Sequence, residues 1–364
     1  MQQIEGLHLH AARPAGINAP TQQAIDGTQQ ILNLVAGASR NDLVISMISG
    51  GGSAILVSPQ PGISLADKQA VAQCVAAAGG NIVQLNTVRR CISQVKGGGL
   101  ARACQAGQVL SLIISDVLGD PLEIIASGPT VTDLRPDRTQ ALEALKSLGL
   151  LQHPQLANVV RWLRKAEATP VNPNSTTQVQ NVILGNLADA VDAAGVRAVE
   201  LGYRYSMHVA RQSEGDVMEV ASNAFEQLNH LCDEPEIDCW ISGGEPTVRL
   251  PESDIGLGGR NQQLALAVLE QMQSSGWPEA HKRTEFAFLS GGTDGEDGPT
   301  DAAGAWFDSN TLSRLSTIGL KPATYLRRAD AYHFFQEVGG LLQTGPTGTN
   351  VCDLRVGLVR THSS

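Results

Sequence analysis

Aromatic residues are scarce, at 4% of 364 positions, which argues against the stacking platforms that hold single-stranded nucleic acid. Acids outnumber bases, 36 to 26, for a net charge of −10 at pH 7, so bulk attraction to nucleic acid or an anionic membrane is not expected. Cysteines occur only at 74, 91, 104, 232, 239 and 352. None pairs as C-x-x-C, so neither a zinc ribbon nor a thioredoxin motif is present, and they are too few for a disulfide scaffold. They read as small buried hydrophobes. The opening MQQIEGLHLHAARP has no basic start and no apolar stretch, and no run of about 18 apolar residues follows. No leader or membrane span is therefore expected, and a reduced cytoplasm is. The Walker pattern G-x-x-x-x-G-K-[ST], a complete G-x-G-x-x-G, H-E-x-x-H and G-x-S-x-G are all missing. Their absence counts against P-loop kinases, dinucleotide dehydrogenases, metallopeptidases and α/β-hydrolases.

Glycine is abundant: 38 residues, 19 of them in six clusters without a fixed period. The chain repeats one pattern of apolar run, glycine-rich turn and amphipathic segment. Strands are expected at 42–49, 109–116 and 181–186, with strand-then-turn segments at 237–245 and 285–298. Helices are expected at 65–79, 187–202, 215–231 and after Gly259. Strands alternating with helices imply an α/β fold of parallel βαβ units, with ligands beyond the carboxyl ends of the strands. The length suits about two domains. The segment 233–236 reads as a hinge, giving domains 1–232 and 233–364, and the polar, proline-bearing end of 150–180 reads as a connector.

Several strand-end clusters could carry chemistry. Ser49, Gly50, Gly51, Gly52 and Ser53 follow a strand, and three residues without Cβ let backbone N–H groups converge on an anion. Lys96, Gly97, Gly98 and Gly99 join a lysine to a flexible turn, with Arg89 and Arg90 upstream, a cationic patch suited to phosphate oxygens. Asp116, with Asp120 beside it, closes a strand where a carboxylate can hold Mg²⁺ or accept a hydroxyl proton. Gly243, Gly244 and Glu245 form a further strand-end turn. Arg260 and Asn261 start a helix, where free N–H groups favour an anion. Asp294, Glu296, Asp297 and Asp301 crowd one glycine-rich turn, and 344–350 forms another. Phosphate cradles, cations and acids on α/β strand ends are the parts that phosphoryl transfer uses.

The ordered motifs SGGGSAIL, SLADKQAV, VRRCISQVKGGGLA, ISDVLGDPLEIIASGPT, SGGEPTV, GGRNQQLAL, SGGTDGEDGPTDAAGA and TGPTGTNVCDL resemble the glycerate 2-kinase family, over about residues 20–358. The carboxyl-terminal part resembles its MOFRL domain. The resemblance implies ATP- and Mg²⁺-dependent phosphorylation of D-glycerate at its 2-hydroxyl. It also implies a Rossmann-like parallel-sheet domain, an α/β MOFRL domain, and an active site in the cleft between them, in a monomer or homodimer. Carried over by motif, the functional acid falls on Asp116 and the functional arginine on Arg260, while Lys96 matches a family lysine. The phosphates are then expected at Ser49–Ser53, Gly97, Gly98 and Gly243–Glu245, and the metal at Asp116, Asp294 and Asp297. Three departures stand out. The usual first α/β unit with its G-K-A-A-type lysine is not in this sequence, Arg13 replaces a histidine beside Pro14, and Gly99 replaces an arginine. A non-catalytic member of the fold therefore stays open. So does a hydroxypyruvate reductase, against which the missing dinucleotide fingerprint counts.

Overall fold

A computed structural model describes residues 6–12, 20–165, 177–234, 236–277 and 284–361. Residues 166–176 of the expected connector, Arg13 with Pro14, and Pro235 of the expected hinge lie outside the described residues. The chain forms two compact units, Met1–Ile113 with Pro121–Leu184, and Ile114–Asp120 with Gly185–Ser364.

The first unit contains α1 (Gln22–Ala36), β1 (Leu43–Ile48), α2 (Gly52–Ile55), α3 (Leu65–Ala77), α4 (Ile82–Cys91), α5 (Gly99–Ala103), β2 (Gln108–Ile114), α6 (Arg138–Ser147), α7 (Ala157–Arg164) and β3 (Gln178–Gly185). The sheet order is β1-β2-β3, and β1 runs parallel to β2 with Leu43 opposite Gln108. Val109 of β2 packs with Leu32 and Val35 of α1 and Leu100 of α5. A separate core joins Val71 and Val75 of α3, Val88 of α4, Leu145 of α6 and Val159 of α7. Burying each such side chain contributes about 1.5–3 kcal/mol. α3 starts where Ser64 and Asp67 cap each other's backbone N–H. It stops before Gly79, whose φ of +73° is a conformation that glycine adopts without strain.

The second unit contains α8 (Leu187–Glu200), β4 (Tyr205–Val209), α9 (Val217–Asp233), β5 (Cys239–Gly244), α10 (Arg260–Ser274), β6 (Thr284–Gly292), β7 (Gly304–Asp308), α11 (Ser309–Ile318), α12 (Pro322–Arg327), α13 (Ala331–Val338), β8 (Leu341–Leu342) and β9 (Asp353–Thr361). Its sheet order is β4-β5-β9-β6-β7-β8. β4 and β5 are parallel, but β9 runs antiparallel to both β5 and β6. The alternation of strands and helices predicts parallel pairing, so here it holds only in part. A strand distant in sequence inserts between β5, which leads into α10, and β6, which leads into β7. α10 is buried from Asn261 through Leu269, as expected of a central helix packed on several sides.

The segment 233–236, expected as the hinge, begins at the last residue of α9 inside this second unit, and the units part at Leu184 and Gly185. The reason is packing: Val217, Val220 and Leu228 of α9 share one core with Leu264, Val268 and Phe288. Five of the six cysteines are buried, in keeping with their reading as small hydrophobes. Among the described residues no helix is long and apolar enough to cross a membrane.

Candidate active-site residues

In the first unit the glycine turn after β1 is a packing device as well as a possible cradle. Gly51 has φ +78°, and a Cβ on Gly52 would come within 2.8 Å of the Ala126 Cβ. That neighbouring segment is itself unusual: Ala126, Ser127 and Gly128 have φ of +50°, +65° and +62°. Left-handed conformations at non-glycine residues persist only where the surroundings hold them, and they gather at functional sites. Ser53 and Ser127 share a hydroxyl hydrogen bond of 2.9 Å. Ser49, Gly50 and Gly52 also line a cavity of about 790 Å³, together with Ile31, Ile45 and Met47.

Lys96 is not on a solvated turn. It is 1% exposed, and its Nζ donates to the Ser53 carbonyl at 3.0 Å and to the Ser127 hydroxyl at 3.3 Å. Gly97 and Gly98, with φ of +56° and +76°, donate backbone N–H bonds to the Ser127 and Gly128 carbonyls. The expected KGG and ASG motifs are thus one interlocked structure. Burial, aided by the charges of Arg89 and Lys68, holds the Lys96 ammonium well below the usual lysine range.

In the second unit Arg260 occupies the first position of α10. Its Nε and Nη2 meet the Asp353 carboxylate at 2.7 and 3.1 Å, and its Nη1 meets Glu245 at 2.7 Å. Burial opposes its charge, but hydrogen bonding to Asp353 and the charges of Asp353, Glu245 and Asp297 outweigh burial and raise its pKa. Arg355, almost fully buried, makes a two-pronged pair with Glu214 at 2.8 and 2.6 Å. Asp353, Arg355 and Glu214 escaped the sequence reading. The available signal was an acid and a base two apart in the apolar strand DLRVGL, both therefore on one face.

The N–H groups at the start of α10 are already occupied. Asn261 N and Gln262 N donate to the two oxygens of Asp297 at 3.0 and 2.8 Å. Asp297 thus serves as the anion that the helix start favours, and this corrects the expectation that an external ligand sits there. Gly259 makes the approach possible, because a Cβ there would lie 2.2 Å from the Asp297 carboxyl carbon. Burial pushes Asp297 up to about 6, with the Asp353 charge adding to it and the backbone bonds opposing it. Asn261 also accepts from the buried Ser290 hydroxyl at 2.6 Å.

Gly243 and Gly244 are not a turn. They are strand residues of β5, paired with Leu354 and Asp353 of β9. Glycine is needed there for contact: a Cβ on Gly244 would fall 1.8 Å from a Glu214 carboxylate oxygen, and one on Gly243 would fall 2.5 Å from Leu187. Gly244 therefore lets Glu214 reach Arg355.

Asp116 belongs to this unit. Its backbone carbonyl accepts from the Cys352 thiol at 3.2 Å. Cys352, at φ +70°, is pushed up to about 12 by burial and by the surrounding charges of Glu245, Asp353 and Asp116, with Arg260 opposing. Cys352 thus bonds the Asp116 backbone and precedes Asp353, which shares Arg260 with Glu245. The Asp116 carboxyl is half-buried, which raises its pKa, and among the described residues it has no cationic partner. Asp120 is bound by Asn186 at 2.6 Å. Asp294 and Asp297 line a cleft of about 500 Å³ with Arg260, Gly258 and Glu296. Asp116, Asp294 and Asp297 do not gather as a three-ligand metal cluster; among the described residues there is none.

Residues 3–164 match the family described as a domain of unknown function, DUF4147, and residues 238–353 match the MOFRL family. Bovine (Bos taurus) glycerate kinase is 39% identical over 380 residues, covering 92% of this chain and 71% of that protein. The D-glycerate 2-kinase of Thermotoga maritima is 34% identical over 351 residues, covering 95% of this chain and 79% of its own. The crystal structure of glycerate kinase from Thermotoga maritima superposes with a TM-score of 0.83 at 32% identity, over 99% of this chain and 82% of that one. With a mixed α/β architecture, a MOFRL match and relatives of this identity over most of its length, the chain belongs to the glycerate kinase family.

Proposed function

We propose that this chain transfers the γ-phosphoryl group of ATP to the 2-hydroxyl of D-glycerate, giving 2-phosphoglycerate and ADP. The observation that carries this reading is the buried Lys96 ammonium, held by the Ser53 carbonyl and the Ser127 hydroxyl, with no carboxylate among the described residues to neutralise it. A cation kept in this way is poised for the negative charge of a transferring phosphoryl group. The likeness to a D-glycerate 2-kinase supplies the acceptor.

In the reaction the γ-phosphorus–oxygen bond to ADP breaks and a bond to the 2-oxygen of glycerate forms. Asp116 accepts the hydroxyl proton; its raised pKa makes it a stronger base than an exposed carboxylate. Lys96 and the Ser49–Ser53 turn hold phosphate oxygens. Arg260 keeps N–H donors beyond those taken by Asp353 and Glu245, and these bind the glycerate carboxylate.

Mg²⁺ is the ion implied by this chemistry, and it is commonly held by one or two carboxylates plus phosphates rather than by an all-protein cage. Both oxygens of Asp297 are engaged by Asn261 and Gln262, whereas only one oxygen of Asp294 is, by the Glu296 N–H. Asp294 is therefore the acid that fits the ion, which when bound neutralises charge on the phosphates. The test is product formation from D-glycerate, ATP and Mg²⁺, with 2- and 3-phosphoglycerate resolved. Asp116→Asn should lower kcat at least a hundredfold with KM little changed. Turnover unaffected by that substitution would remove Asp116 from its role, and formation of 3-phosphoglycerate would overturn the regiochemistry.

A further inference from the structure

Lys68 is a lysine in the wrong place for a structural residue. It lies on α3 three and seven residues before Val71 and Val75, on the row that faces the helical core. It is 6% exposed, and its Nζ is buried with no hydrogen-bond partner among the described residues. Arg89 of α4 and Lys96 lie within electrostatic range: the charge of Arg89 acts on both lysines, and that of Lys68 acts on Lys96. Among the described residues none of the three forms a salt bridge with a carboxylate. Two further buried polar atoms on α4, Asn86 Oδ1 and Arg90 Nε, are also unpartnered.

A buried ammonium without an acceptor is costly, and three like charges together are costlier. Burial, with Arg89 adding to it, pulls Lys68 down to about 7, as expected for a cation with nothing to balance it. The adjoining interlocked turns keep three left-handed residues in a row beside the Lys96 ammonium. Strained residues persist where the surrounding structure holds them, and strain kept beside uncompensated charge is characteristic of ligand sites.

We infer that Lys68, Arg89 and Lys96 together seat a phosphoryl oxyanion, and that Lys68 is a binding residue for it rather than part of the core. This rests on the proposed kinase reading only in expecting the polyphosphate of a nucleotide as the natural occupant; a phosphomonoester product has the same chemistry. Phosphate oxygens would give each cation an acceptor, and bound anion would stabilise the fold by mass action.

The test uses the full chain with Lys68→Met, which keeps length and apolarity, and Lys68→Arg, which keeps charge. Pyrophosphate and 2-phosphoglycerate are titrated by calorimetry, and melting is followed with and without each. Wild type should bind pyrophosphate, Lys68→Met should bind it at least tenfold more weakly, and Lys68→Arg should restore most of the loss. Without ligand, Lys68→Met should melt at or above wild type, which shows that it folds and that the charge is maintained at a cost. A larger loss for 2-phosphoglycerate than for pyrophosphate would support the seat and assign it to the transferred phosphate. Equal binding of both ligands by Lys68→Met and wild type overturns the inference, as does failure of wild type to bind either. Turnover of D-glycerate by wild type is read separately. Lys68-dependent pyrophosphate binding without turnover would keep this seat and remove the kinase reading. Turnover with Lys68-independent binding would do the reverse.

Discussion

The two units treat buried positive charge in opposite ways. In the second, Arg260 meets Asp353 and Glu245, and Arg355 meets Glu214, so each guanidinium is answered by the chain itself. In the first, Lys68, Arg89 and Lys96 are answered by hydroxyls and carbonyls at most. Paired arginines fix geometry and cost stability mainly when one partner is removed. Unpaired lysines cost stability from the start and fit a ligand that brings its own negative charge. On the proposed reading, the contrast separates a region that positions from a region that receives.

That contrast can be broken in four ways. The largest effect is expected for Glu214→Gln, which leaves Arg355 buried beside a neutral amide; unfolding in denaturant should show a loss of about 3–5 kcal/mol. If stability is unchanged, the second unit's pairs are not structural. Next, Lys96→Met should lower kcat/KM for D-glycerate phosphorylation by about 10²–10³-fold while melting stays near wild type, the pattern of a charge kept for the transition state. Loss of both together would make Lys96 architectural. Gly244→Ala should cost about 1–3 kcal/mol, because its Cβ displaces the carboxylate that holds Arg355. It should add little to Glu214→Gln in the double variant.

The smallest effect is a pH dependence. The folded pKa of Lys68, about 7, lies below its ordinary value of 10.5, so between these limits the unfolded chain binds the extra proton. Stability therefore rises as pH goes from 7 towards 10, and below 7 the full penalty is present. Ligand-free Lys68→Met should lack that rise. Equal pH curves for the two proteins would place the Lys68 charge in water.

Much of this architecture could be read from residue spacing. The apolar runs before Gly50, Asp116, Asn186 and Glu245 are strands β1, β2, β3 and β5, and the segment 215–231 is most of α9. Ser64 with Asp67 marks the start of α3 because capping is local chemistry. Pairings across long separations were not legible. Asp353 is Arg260's partner only because β9 inserts beside β5, and nothing near either residue announces that register. For the same reason Gly243 and Gly244 resemble a turn: the glutamate that requires Gly244 lies thirty positions upstream, at Glu214, and the side chain that requires Gly243 is Leu187. Lys68 was overlooked because a lysine in an amphipathic pattern is ordinarily taken for the wet face.

The placement of β9 also bears on how the second unit comes together. Gly244 of β5 and Gly292 of β6 both pair with Asp353, so neither strand has its inner neighbour until a segment far along the chain arrives. Contacts of such separation close slowly. Before they close, β5 and β6 present open edges that can recruit another chain, and Arg260 and Glu214 lack the partners that β9 brings. Closing the sheet and neutralising the arginine site thus depend on the same strand. A nascent or partly unfolded form would be prone to self-association for the same reason that the finished site is well ordered.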